Sequence, residues 1–127
     1  MNTYRVLLVD DEKDFLDTLS KRLAKRNLHV GCASSGPEAL EMLAQEPFDV
    51  VVLDVRMPTM DGIETLKEIK KTSPSPEVIM LTGHADLEVA VRGMELGAFD
   101  YLMKPADIDE LLYKIQDAHK KKYFKQD

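Results

Sequence analysis

The run Val50-Val51-Val52-Leu53 is apolar without interruption and stops at a single carboxylate, Asp54. A strand with one face in water alternates apolar and polar residues, whereas an unbroken run suits a strand covered on both faces, as the centre of a parallel sheet requires. Parallel strands need long crossover connections, normally helices, so this stretch commits the chain to a layered α/β design.

The other strands follow at matching intervals. Val6-Leu7-Leu8-Val9 comes first and Val78-Ile79-Met80-Leu81 fourth, with a fifth strand over 98–103. A weaker second strand near His29-Val30-Gly31-Cys32-Ala33 carries glycine and polar neighbours and reads as an edge. Between them lie amphipathic stretches. Phe15, Leu16, Leu19 and Leu23 recur at helical spacing after Asp10-Asp11-Glu12, and Ile63, Leu66 and Ile69 form one stripe. Ser35 with Glu38, Asp61 with Glu64, and Asp107 with Glu110 have capping-box spacing. Asp86 opens a fourth helix and Gly97 ends it, and Ile108, Leu111, Leu112, Ile115 and Ala118 line the last.

Five strands joined by right-handed crossovers predict a flavodoxin-like doubly wound three-layer sandwich of order 2-1-3-4-5 with five helices, since the other common order usually needs six strands. The chain then reverses between strands one and three, so Asp10, Asp11 and Asp54 converge at the carboxyl edge of the sheet, where ligands gather in such folds.

At 127 residues the chain reads as a single domain, with a core over about residues 4–120 and a basic tail at 121–127. A net charge of −6 argues against a general nucleic-acid binder, and the one basic cluster, Lys120, Lys121, Lys122 and Lys125, suits a helix end or the start of a linker. No leader or membrane span is legible and Cys32 is the only cysteine, so the expectation is a cytoplasmic protein with Cys32 as a small core residue.

Three carboxylates in one crevice require a cation, because unit charges about 4 Å apart interact by about 4 kcal/mol at an effective dielectric of 20. Oxygen ligands without a Cys or His cluster indicate a hard divalent ion, with Mg2+ the usual choice where phosphate is handled. Thr82 ends the strand next to Asp54, and Lys104 ends the one beyond, within reach of the crevice. Each alone reads as a surface residue, and Asp10-Asp11 alone as a helix cap. Together they suit phosphoryl transfer to a carboxylate.

Asp10-Asp11, Leu53-Asp54 with Met57-Pro58 and Met60-Asp61-Gly62, Thr82-Gly83-His84, and Tyr101-Leu102-Met103-Lys104-Pro105 make this sequence resemble the response-regulator receiver domains of two-component signalling. The resemblance covers nearly the whole chain and implies the same strand order. It implies that Asp54 accepts phosphoryl from a sensor histidine kinase or phosphotransfer protein. Mg2+ would sit on Asp11, Asp54 and the Arg56 carbonyl, with Asp10 acting mainly through water. Lys104 would contact the phosphoryl oxygens, with a cis bond to Pro105. Thr82 would swing toward the phosphoryl group and Tyr101 would turn into the space vacated.

The implied product is a switch, not an enzyme acting on other substrates. Its fourth helix, fifth strand and fifth helix would meet an effector or output domain, or pair as a dimer on activation. Arg56 and His84 stand two residues past Asp54 and Thr82 and are candidates for setting the acyl phosphate's lifetime. Three other readings remain at this stage. The chain could be the receiver piece of a longer transcriptional regulator. An aspartate-nucleophile phosphatase would place its nucleophile after the first strand, and a flavodoxin would not tolerate Asp10-Asp11-Glu12 where phosphate binds.

Overall fold

A computed structural model describes residues 4–56, 61–83 and 86–125. Strands β1 (Arg5–Val9), β2 (His29–Ala33), β3 (Val50–Asp54), β4 (Glu77–Thr82) and β5 (Asp100–Met103) alternate with helices α1 (Lys13–Ala24), α2 (Gly36–Gln45), α3 (Gly62–Thr72), α4 (Leu87–Glu95) and α5 (Ile108–Lys125). All strand pairs are parallel, in the order β2-β1-β3-β4-β5. The three-layer architecture read from the apolar runs is therefore the one observed.

The unbroken runs divide residue by residue between two cores. Val6, Leu8, Val50, Val52, Ile79 and Leu81 face α1 and α5, while Leu7, Val9, Val51, Leu53, Val78 and Met80 face α2, α3 and α4. Side chains alternate across a strand, so a strand buried on both faces must be apolar throughout. Each fully buried Val, Leu or Ile contributes roughly 1.5–3 kcal/mol, which makes the central strands the most strongly held part of the molecule.

The helix starts show how local chemistry supports this plan. Ser35 Oγ accepts the Glu38 N–H at 3.2 Å and Asp61 Oδ1 accepts the Glu64 N–H at 2.8 Å. Glu38 completes its box one residue early: its carboxylate accepts from the N–H and hydroxyl of Ser34, not from Ser35. Gly97 closes α4 at φ +106°, a left-handed conformation open to glycine.

One expectation needs correction. Cys32 is exposed, because β2 is an edge strand incompletely covered by α1. Helix α5 runs through position 121 to Lys125, so the basic cluster lies at a helix end, one of the two readings its charge allows. The Lys121 ammonium lies 3.8 Å from the buried Glu77 carboxylate and 5.5 Å from the centre of the Phe99 ring, while Tyr4 stacks on His119 two residues earlier. No helix among the described residues is long and apolar enough to cross a membrane.

Candidate functional site

Register brings the acids together. Val9 pairs with Leu53, so the residues that follow them, Asp10 and Asp54, leave adjacent strands side by side. Asp10 and Asp54 are 1% and 5% exposed, while Asp11 is open to solvent; each offers a carboxylate oxygen, and the three lie within 4.8 Å of one another. From β5, Lys104 continues the ladder by donating its N–H to the Thr82 carbonyl at 2.7 Å, and its bond to Pro105 is cis. Its ammonium bonds Asp10 Oδ2 at 3.2 Å and lies 3.5 Å from Asp54 Oδ2 and 4.0 Å from Glu12 Oε1.

The electrostatics follow from this crowding. Burial pushes the Asp54 carboxyl up to about 6; the Arg56 N–H bonded to Asp54 Oδ1 at 3.2 Å opposes this, the Asp10 charge adds to it, and Lys104 also opposes it. Burial alone would lower the Lys104 pKa, but Asp54 and Asp10 outweigh it and leave it above the ordinary lysine value. Against the clustered carboxylates of Asp10, Asp11 and Asp54 stands one ammonium, which approaches Asp10 and Asp54 and has Glu12 at its margin. That leaves the pocket acidic, and its donors are oxygens only, as a hard divalent cation prefers. The residues present therefore fit such an ion.

Thr82 is fully buried, and its hydroxyl donates to the Met103 thioether at 3.4 Å, a weak acceptor. Tyr101 is half-buried on the α2–α4 side of β5. Arg56 is bound more tightly than its place in the sequence suggested. Its Nε lies 2.7 and 2.9 Å from the two Asp86 oxygens and its Nη2 2.7 Å from one of them. This tethers the segment after β3 to the start of α4. A groove of about 510 Å³ runs beside it, lined by Asp11, Val55, Arg56, Asp61, Ile63, Asp86 and Val89. His84, Met57, Pro58 and Met60 lie outside the described residues.

Sequence reasoning missed two participants. Asp86 read as a helix start, yet it makes no side-chain capping bond and is spent on Arg56. Phe15 read as core, yet the Lys104 ammonium lies 5.1 Å from the centre of its ring. Neither has a linear signal, because the partners are 30 and 89 residues away (86 − 56 and 104 − 15).

Comparison with known proteins agrees with the geometry. Residues 6–116 match the family model described as the response regulator receiver domain. The regulatory protein AtoC of Escherichia coli is 43% identical over 90% of this chain and 25% of its own length. The DNA-binding transcriptional regulator NtrC of the same organism is 43% identical over 89% of this chain and 24% of its own. The chain thus spans about a quarter of the curated relatives it matches. Among solved structures, a response regulator receiver domain protein from Clostridium thermocellum superposes with a TM-score of 0.91 at 37% identity, covering 95% of this chain and 98% of that one. The receiver domain of NtrX from Brucella abortus gives 0.85 at 32%, covering 91% and 98%.

Proposed function

The chain belongs to the response-regulator receiver family, whose members are signalling switches, and on that premise we propose that Asp54 is its phosphoacceptor. The observation that carries this is the Lys104 ammonium, set between the Asp10 and Asp54 carboxylates where three strand ends meet. An Asp54 oxygen attacks the phosphorus of a phosphohistidine on a sensor kinase or phosphotransfer protein. The O–P bond forms as the P–N bond breaks, and the imidazole leaves with the electron pair. Asp11, Asp54 and the Arg56 carbonyl would hold Mg2+, with Asp10 acting mainly through water; when bound, the ion neutralises charge on the phosphoryl oxygens. Lys104 holds those oxygens from the other side. The neighbouring groove supports the reading by leaving room for the donor.

The switch is a contest between acceptors for one hydroxyl. A thioether holds the Thr82 O–H weakly, and a phosphoryl oxygen carrying part of about −1.5 to −2 charges binds it far better. Movement of Thr82 opens space into which Tyr101 turns. Shifting a two-state surface from 1:99 to 99:1 takes about 5.5 kcal/mol, within reach of a few charge-assisted hydrogen bonds. The α4–β5–α5 face carries the output: Leu87, Val91 and Met94 form an exposed apolar stripe along α4. That face would meet an effector or output domain, or a second copy on activation. The relay needs an ATP-supplied kinase, so the cytoplasm is the proposed compartment.

Incubation with acetyl phosphate and Mg2+ should add one phosphoryl group, read by intact mass, and a chelator should prevent it; an unchanged mass overturns the proposal. The lifetime of the adduct gives a separate prediction. Arg56, anchored beside the acids by Asp86, limits the approach of water in this reading, and His84 is the second candidate by its place in the sequence alone, two residues past Thr82. Arg56→Ala should raise the hydrolysis rate of the isolated phosphoprotein severalfold, with His84→Ala measured in parallel. Unchanged rates in both would remove the lifetime role.

A further inference from the structure

The transfer proposed for Asp54 depends on Lys104, and lysine is poorly suited to holding one position: its ammonium is a compact charge with three donors on a flexible four-carbon stem. Three of its neighbours are the carboxylates of Asp10, Asp54 and Glu12, at 3.2, 3.5 and 4.0 Å. Of these Glu12 is exposed and lies at the solvent side, so it offers the ammonium a way out of the crevice. The fourth neighbour is the ring of Phe15, in the first turn of α1, with its centre 5.1 Å from Nζ. A cation within about 6 Å of an aromatic face is attracted by the ring quadrupole, more strongly where water is partly excluded. Phe15 is half-buried against the α1/α5 core, so its ring is held by packing and the ammonium comes to it.

We propose that Phe15 is a positioning residue, its ring face holding the Lys104 ammonium beside Asp54 and ready for the phosphoryl oxygens. This rests on the role assigned to Lys104 above. A ring face adds what another carboxylate would not. It attracts the ammonium without net charge, so it does not compete with the phosphoryl group as a partner for the lysine or repel it from the site. The aliphatic bulk needed by the α1 core could come from leucine; the face could not.

The test uses the full chain carrying Phe15→Leu or Phe15→Tyr, with the lysine ε-carbons labelled. Methylene protons above a ring face are shifted upfield, so the Lys104 ε-methylene signal of the wild type should be displaced, should keep that displacement in Phe15→Tyr, and should lose it in Phe15→Leu. With saturating Mg2+ and acetyl phosphate, Asp54 phosphorylation should slow about three- to tenfold in Phe15→Leu, the size of an aromatic–cation attraction, and stay within about twofold in Phe15→Tyr. Should the leucine variant fail to fold, pentafluorophenylalanine at position 15, which keeps the shape and reverses the quadrupole, takes its place with the same expectation for the rate. An undisplaced wild-type signal, a wild-type rate without the ring face, or equal losses with leucine and tyrosine overturns the proposal. The chemical shift involves no phosphorylation, so a wild type that is not modified at Asp54 would sink the phosphoacceptor reading while leaving the ring's hold on Lys104 separately measured.

Discussion

Asp54→Asn is expected to lose the acetyl phosphate adduct completely and, without divalent cations, to unfold at a higher denaturant concentration than the wild type. Both results follow from one carboxylate kept where it is unfavourable. Burial, aided by the Asp10 charge, lifts the Asp54 pKa from 3.8 to about 6, against the Arg56 N–H and Lys104. At 1.36 kcal/mol per unit this corresponds to about 3 kcal/mol held against the fold at neutral pH. An amide has a similar shape and no charge, so roughly 2 kcal/mol of that should return after allowing for what Lys104 loses.

The sign with pH is specific. Between about 4 and 6 the unfolded chain has released the Asp54 proton while the folded chain retains it, so this residue's contribution makes stability fall as pH rises through that window. The gap between variant and wild type should open from about pH 4 to 6 and stay open above. Mg2+ should narrow it by stabilising the wild type much more than the variant. Urea unfolding across the pH range, with and without Mg2+, checks each part. A wild type more stable than the variant in chelator at pH 7 would show that burial is not what governs Asp54.

Gly62→Ala should cost about 3 kcal/mol, at the upper end of what overpacking usually costs. A Cβ at position 62 would stand 2.3 Å from Val55 Cα, 2.8 Å from the Asp54 carbonyl oxygen and 3.0 Å from the Val55 carbonyl carbon. These are backbone atoms at the end of β3. The Gly62 N–H also donates to the Val55 carbonyl at 2.9 Å, which fixes the approach of α3. The helix would have to back away and carry the segment after Asp54 with it. Mg2+ affinity, measured by calorimetry, should therefore weaken together with the urea midpoint. Gly93→Ala is the contrast: its Cβ would meet the Met80 sulfur and terminal methyl, the far end of a flexible side chain, and should cost less. A Gly62 variant as stable as wild type would mean that the close approach is not a constraint on the fold.

Gly62 also marks where linear reading stops. In the sequence it is simply the residue after a helix cap, and Asp61 does cap α3 as its spacing with Glu64 foretells. The demand for glycine comes from β3, which a one-dimensional pattern cannot place against α3. Cys32 went wrong for a related reason: its apolar character was visible, but whether an edge strand's outer residue is covered depends on how far α1 reaches over it. The Arg56–Asp86 pair and the Phe15 face over Lys104 are likewise meetings of distant segments, and each residue had an adequate local explanation that concealed the second role.

The order of strands and helices, and the presence of Asp10, Asp11, Asp54, Thr82 and Lys104 at strand ends, were determined by the sequence itself, because burial on two faces and helical periodicity are written residue by residue. Only the tertiary structure decided how these ends are tuned: how deeply Asp54 is buried, what holds Arg56, which face meets Lys104, and why position 62 has no side chain. Those properties depend on distances between segments that are far apart along the chain and become neighbours only once the sheet has closed its register.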